Sequence, residues 1–216
     1  MFPIISQKPS DYAVGKIICV GRNYLEHVKE LDNDISTSPL LFIKPLSSVV
    51  PFAGSLNIPE DFGVVHHELE ISILIGEAKA PKSYSIRGVG LALDLTLRDL
   101  QNELKKQGHP WERAKAFSGS AVISDFIEID DYSDLDHLKL ILYKNNKLQQ
   151  RGNSGQMIFK IEDLLYDIDR AFTLQAGDIV LTGTPAGVSS LSGGDQLIAE
   201  LYVRNRCELK TSASIA

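Results

Sequence analysis

Three segments carry the residue types that do chemistry. In VVHHELEISILIG, residues 64–76, Glu68 and Glu70 stand two apart within a run of Val, Ile and Leu that ends at a glycine. Successive side chains of a strand alternate faces, so this pair shares one face with His66 and Ser72, and Leu69, Ile71 and Ile73 take the other. Two carboxylates side by side on a half-buried face repel and lose solvation. A divalent cation would relieve both costs, and Asp94, at the end of a second strand pattern, could complete its oxygen shell. Hard oxygen donors suit Mg²⁺, Mn²⁺ or Ca²⁺, and the lack of a Cys/His cluster disfavours structural zinc. His66 as a ligand would shift the preference toward Mn²⁺ or a softer metal. The same spacing also fits the wet face of an ordinary strand.

The second segment is GRNYLEHVKEL. His27 and Glu30 are three apart on an expected helix and therefore neighbours on its surface. A carboxylate that accepts from one imidazole nitrogen fixes the tautomer and raises the basicity of the other, a unit suited to deprotonating water. An ordinary surface His–Glu pair has the same spacing. Arg22, Lys44 in FIKP and Lys115 in PWERAKAF are cations among apolar neighbours that could neutralise a substrate carboxylate or an oxyanion, or simply snorkel. The third segment, LTGTPAGV, lacks the lysine of a nucleotide-binding loop. It reads as a tight turn whose backbone N–H groups and Thr184 hydroxyl could hold a carboxylate. No G-x-S-x-G elbow supports a serine hydrolase.

The elements that position these residues are legible in part. GKIICVGRNY is a buried strand with a turn at Gly21, followed by a short helix carrying Tyr24, Val28 and Leu31. PLLFIKPLSSVV, punctuated by Pro39 and Pro45, is an edge or irregular strand. GVGLALDL alternates with period two, and Thr96 with Asp99 fits a capping box opening a helix over 99–107. Gly108 follows as the helix stop and Pro110 bars continuation. A strand running straight into a helix places Asp94 at its solvent-facing end. Asn145-Asn146 turns a hairpin, KIEDLLYDIDRAF is an amphipathic helix, and two Gly-Asp turns open further strands. Strands outnumber helices without βαβ alternation, so the fold class is α+β with a mostly antiparallel or mixed sheet.

The chain has 216 residues, 44% hydrophobic and 23% charged, consistent with a single domain over 1–216. A net charge of −6 argues against a general nucleic-acid binder. Two distant cysteines, no apolar run of membrane-spanning length and no leader pattern at the N-terminus point to the cytoplasm.

Taken together and in this order, GRNYLEHVKEL, FIKP, HHELEISILIG, LALDLTLRDLQ, KKQGHPWERAKAFSGS, GNSGQMIF and GDIVLTGTPAGV resemble the fumarylacetoacetate hydrolase family, from about Val20 to about Val188. The closer likeness is to its short acylpyruvate hydrolase and oxaloacetate decarboxylase branch. The resemblance implies an α+β fold of layered, rolled mixed β-sheets with a few short helices, usually as a homodimer. It implies Glu68, Glu70 and Asp94 as ligands of one Mg²⁺ or Mn²⁺, His27 and Glu30 as the water-activating pair, and Lys115 as a catalytic lysine near the metal. Arg22, Lys44, Arg98, Gln101 and Thr184 are then expected near a small 2-oxo acid substrate. The implied reaction is hydrolysis of an acylpyruvate through a pyruvate enolate. Oxaloacetate decarboxylation or keto–enol tautomerisation is the alternative, and a dienoate hydratase or isomerase a further one. Ser118 and the sequence KAF depart from the family's frequent Asp and Lys-Ser-Phe, which bears on substrate preference.

Overall fold

A computed structural model describes residues 14–31, 37–59, 61–78, 84–129 and 131–216. The expected polar end of the first helix and the N-terminal thirteen residues lie outside them. Fifteen strands pair into three sheets among the described residues. The largest contains β1 (Ile17–Gly21), β2 (Leu40–Lys44), β3 (Val49–Pro51), β6 (Leu69–Gly76), β7 (Ser85–Asp94), β9 (Ala121–Ile127) and β12 (Ile179–Leu181), in the order β2-β1-β12-β6-β7-β9-β3. The second holds β4 (Ala53–Leu56), β10 (Leu138–Lys144), β11 (Lys147–Asn153), β14 (Gln196–Val203) and β15 (Arg206–Ile215), in the order β11-β10-β14-β15-β4. A small third sheet joins β5 (Val65–His67), β8 (Thr96–Leu97) and β13 (Ser189–Ser190). The pairing is mixed: β1 runs parallel to β12 and β4 to β15, while β6 lies antiparallel to both β7 and β12. Helices are few: α1 (Leu25–Glu30), α2 (Arg98–Gln107), α3 (Glu112–Lys115) and α4 (Ile161–Phe172). The α+β expectation holds, and β2 is an edge strand as its prolines require.

Period-two alternation gives the central strands two different faces. Leu69, Ile71, Ile73 and Ile75 of β6 and Val89, Leu91 and Leu93 of β7 share a core with Leu138, Leu140 and Leu142 of β10 and Leu197, Ala199 and Leu201 of β14. Each of the Val, Leu and Ile side chains, removed from water, contributes roughly 1.5–3 kcal/mol. The opposite face of β6 carries Glu70, Ser72 and Leu74. Leu74 joins Cys19, Phe42, Ala92, Ile123 and Leu181 in a second apolar cluster. The carboxylates are therefore set in the wall between a rigid core and this smaller one. Helix α4 buries Ile161, Leu164, Leu165 and Ile168 and leaves Tyr166 outside, as its 3.6-residue period requires. The turn between β10 and β11 has Asn145 and Asn146 at φ 52° and 61°, the left-handed pair that a tight hairpin needs.

Three local expectations are corrected. VVHHELEISILIG is not one strand: it breaks at Glu68, because the Leu69 N–H leaves the ladder for the Gln150 side-chain oxygen at 3.0 Å. The Thr96–Asp99 capping box does not form. The Thr96 hydroxyl donates to the Asp94 carbonyl at 3.0 Å, and α2 starts after Leu97 with no side-chain cap. Asp94 does not face solvent; α2, α3 and the Ser120 backbone close over the strand end and leave it 1% exposed.

Candidate functional site

The β6–β7 hairpin brings the three carboxylates together. Glu70 lies across from Ala92, and the Asp94 N–H donates to the Glu68 carbonyl at 2.9 Å, so Asp94 and Glu70 share a face beside Glu68. One oxygen from each of Glu68, Glu70 and Asp94 falls within 4.8 Å of the others, and all three residues are buried. Their environments differ sharply. Burial, then Asp94, then Glu68 push the Glu70 carboxyl well above the usual carboxylate range, and the Gly183 N–H, 2.6 Å from its Oε2, offsets only part of this. Burial also pushes Glu68 upward, but the nearby charges of Lys115 and Arg98 outweigh it and hold that carboxyl well below the usual range.

Three cations balance the three acids. Lys115, the last residue of α3, places Nζ 2.7 Å from Glu68 Oε2 and 2.6 Å from Asp94 Oδ2. Burial disfavours its charge, yet Asp94 and Glu68 raise its pKa above the usual lysine range. Arg98, at the start of α2, hydrogen-bonds Glu68 Oε1 through Nη2 and Gln101 Oε1 through Nη1 at 2.7 Å. Lys44 is fully buried behind Asp94, 2.8 Å from Oδ1, and donates to the carbonyls of Leu95, Lys115 and Ser120. Its three protons are spent on those carbonyls, so it does not reach the cavity where a substrate contact was expected. Thr184 is committed as well: its hydroxyl donates to the Leu69 carbonyl and accepts from Gln150, both at 2.8 Å, which leaves no proton for a substrate.

His27 and Glu30 meet as their spacing requires, with His27 Nδ1 3.1 Å from Glu30 Oε2. The other carboxylate oxygen accepts the Gly187 N–H at 3.0 Å, which pins α1 to the turn after β12. With a carboxylate at Nδ1, that nitrogen carries the proton and Nε2 presents a lone pair. The turn that supplies Gly183 and Gly187 is held by Asn23, whose Nδ2 donates to the carbonyls of Thr182 at 2.8 Å and Phe159 at 3.1 Å. Gly183 sits at φ +95°, and a Cβ there would lie 2.8 Å from Asn23 Cβ. Gly183→Ala should therefore cost about 2 kcal/mol or more in urea unfolding; an unchanged midpoint would show that the turn relaxes freely.

Of the residues expected to bind or act at the site, all but Glu30, Lys44 and the candidate ligand His66 line one cavity. Sequence reasoning missed four others. Gln150 links the break in the strand to Thr184, Asn23 holds the turn, and Lys105 and Trp111 line the cavity. Only Lys105 had a readable signal: Arg98, Gln101 and Lys105 follow the 3- and 4-residue steps of one helix face.

A family model described as fumarylacetoacetate (FAA) hydrolase C-terminal matches residues 16–211. The chain belongs to the fumarylacetoacetate hydrolase family. Oxaloacetate tautomerase YcgM of Escherichia coli is 46% identical over 193 residues, covering 87% of this chain and 88% of that protein. The mitochondrial oxaloacetate tautomerase of Homo sapiens is 37% identical over 191 residues, covering 86% of each. Among solved structures, fumarylpyruvate hydrolase from Pseudomonas aeruginosa in complex with Mn²⁺ and pyruvate superposes with a TM-score of 0.84 at 28% identity, over 100% of this chain and 97% of that one.

The donor set of this family member fits a divalent cation. It offers three carboxylates, and the buried Asp94 Oδ1 accepts no hydrogen bond although it lies within ion-pair distance of Lys44. The crowding that raises Glu70 is the electrostatic signature of a site short of positive charge on that side. The cavity also favours anions. Arg98 Nε and Arg22 Nε are buried N–H donors without acceptors among the described residues, and both arginines line it. Arg22 adopts φ 60°, a left-handed conformation costly for any residue with a Cβ, and its guanidinium lies 6.0 Å from the Trp111 ring centroid.

Proposed function

We propose that this chain is an oxaloacetate keto–enol tautomerase that works with one Mg²⁺ or Mn²⁺ held by Glu68, Glu70 and Asp94. The observation that carries the reading is the charge balance of the site. Three carboxylates are matched by Lys44, Lys115 and Arg98 before any ion is added, and Arg22 also lines the cavity, so a divalent cation leaves an excess of positive charge. A dicarboxylate offsets more of that excess than a monocarboxylate does. The 46% identity to a protein named oxaloacetate tautomerase supports this over the acylpyruvate hydrolysis expected from the sequence.

When bound, the cation would supply Lewis-acid polarisation of the substrate's 2-oxo group. The chain's own residues do the rest. Arg98 and Arg22 offer their unpaired Nε protons to substrate oxygens and fix its orientation. His27, oriented by Glu30, takes a proton from C3 on Nε2, and the C–H electron pair becomes the C2–C3 double bond as the carbonyl pair moves onto oxygen. His27 then returns the proton to that oxygen, giving the enol. Lys115 holds Glu68 and Asp94 in place through an ion pair to each.

A panel of oxaloacetate in its keto and enol forms, acetylpyruvate and fumarylpyruvate, assayed with Mg²⁺, tests the reading. Interconversion of the two oxaloacetate forms should show the highest kcat/KM. Faster turnover of either acylpyruvate would instead favour hydrolysis, to which the likeness to fumarylpyruvate hydrolase and the same His27–Glu30 pair would then lend themselves.

A further inference from the structure

Glu68 stands where two sheets part: β5 before it belongs to the small third sheet and β6 after it to the largest. Two peptide groups join Glu68 to Glu70, and a side chain grips each of them. The Leu69 N–H donates to Gln150 Oε1 at 3.0 Å, and the Leu69 carbonyl accepts the Thr184 hydroxyl at 2.8 Å. Gln150 lies on β11 of the second sheet and is 1% exposed. Its amide uses both acceptor and both donor positions. Oε1 also accepts from His67 Nδ1 at 2.9 Å, while Nε2 donates to Thr184 Oγ1 at 2.8 Å and to the Pro185 carbonyl at 2.9 Å. These partners fix the amide's orientation, because the Leu69 N–H can only donate and the Pro185 carbonyl can only accept. His67 Nδ1 therefore carries the proton, and its Nε2 accepts the Ser189 hydroxyl at 2.8 Å. One side chain thus ties strands of all three sheets to the turn after β12, whose Gly183 N–H meets Glu70.

We propose that Gln150 is a positioning residue that fixes the spread of Glu68 and Glu70, and thereby makes the site select a compact cation such as Mg²⁺ or Mn²⁺ over Ca²⁺. The inference rests on the reading of the three carboxylates as a metal site and deepens it. Gln150 stands behind Thr184 and is not part of the cavity wall, so it acts through the ligands and not on the substrate. Mg²⁺ demands near-ideal octahedral geometry with oxygens at about 2.0–2.1 Å, whereas Ca²⁺ takes about 2.3–2.6 Å in looser shells. Mn²⁺ also suits an octahedral oxygen shell. Selectivity then depends on whether the carboxylates can move apart. The Leu69 peptides are held at the N–H by Gln150 and at the carbonyl by Thr184, which Gln150 in turn holds. A glutamate at 150 could accept from Leu69 and His67 but could not donate to Thr184 and Pro185, and a methionine could do neither. The role needs an amide.

The test is calorimetry on the full chain with Mn²⁺ alone and with Ca²⁺ alone, without substrate. The wild type should bind Mn²⁺ at least about tenfold more tightly than Ca²⁺. Gln150→Met should lower Mn²⁺ affinity about 10- to 100-fold, the usual cost of losing a group that orients metal ligands, and change Ca²⁺ affinity less than about threefold. Thr184→Val, which releases only the carbonyl side, should narrow the preference in the same direction. Thr184→Ser keeps the hydroxyl and should hold the wild-type ratio to within about threefold. The Thr184 pair decides the matter alone if Gln150→Met does not fold. Equal losses for both ions, or an unchanged ratio in Thr184→Val, would overturn the clamp while the metal reading stands. A wild type that binds neither ion would overturn both.

Discussion

Glu70→Gln should lower oxaloacetate tautomerisation by about 10³-fold or more and weaken Mg²⁺ or Mn²⁺ binding by about 100-fold or more, yet leave the metal-free protein as stable as the wild type or more so. The two halves of this expectation have one cause. Among the described residues Glu70 has no lysine or arginine in ion-pair contact; its Oε2 accepts the Gly183 N–H, and Asp94 and Glu68 crowd it. In the metal-free protein its charge is a liability, and a neutral amide of the same shape removes the repulsion. With a divalent cation in place that same charge is one of three that hold it, and several kcal/mol of transition-state stabilisation go with it, each 1.4 kcal/mol being about tenfold in rate. Calorimetry with Mn²⁺ and urea unfolding in EDTA separate the two effects. Undiminished cation affinity would remove Glu70 from the ligand set, and a large loss of metal-free stability would contradict the crowding argument.

The second large effect has the opposite character. Lys44→Met should destabilise the protein by about 3–5 kcal/mol, the range expected when one partner of a buried ion pair is removed. Lys44 is fully buried, its ammonium faces Asp94 Oδ1 at 2.8 Å, and three backbone carbonyls depend on its protons. Methionine matches its length and not its charge, so Asp94 keeps only Lys115, and the carbonyls of Leu95, Lys115 and Ser120 lose a donor. Adding Asp94→Asn to Lys44→Met should cost clearly less than the sum of the two single changes, because the pair fails together. A loss under 1 kcal/mol for Lys44→Met in urea unfolding would mean that water replaces the ammonium.

These two neighbours show what the sequence made legible and what it did not. The alternation of GVGLALDL and HHELEISILIG puts Glu68, Glu70 and Asp94 within reach of one another, since a two-residue period decides which face a side chain takes. The His27–Glu30 contact follows from helical spacing alone. Lys44 had the right type and the right neighbourhood, but nothing in FIKP tells whether an ammonium points into a cavity or behind a carboxylate. That depends on the carbonyls of Leu95, Lys115 and Ser120, all more than fifty residues away in sequence. Thr184 fails as a substrate donor for the same reason: its proton is claimed by Leu69, across a pairing that only the assembled sheet defines. The missing Thr96–Asp99 capping box is a local rule overridden when the Thr96 hydroxyl found the Asp94 carbonyl first. Gln150 was invisible because a glutamine in a hairpin strand carries no pattern until Leu69 and Thr184 are brought to it.

The strand pairings have a consequence for how the molecule comes into being. The acidic half of the site needs only β6 and β7, adjacent in the chain and antiparallel, so it can assemble by a short-range hairpin. The half that tempers it cannot. Gly183 reaches Glu70 only after β12 has slotted between β1 and β6, joining Ile17 to Ile179 across most of the chain, and β4 waits for β15 in the same way. Contacts so distant in sequence slow folding, because loop-closure entropy is lost before they form. The carboxylates are thus gathered early, with Arg98 and Lys115 close by in the chain, and Glu70 lacks its Gly183 N–H until the last strands arrive.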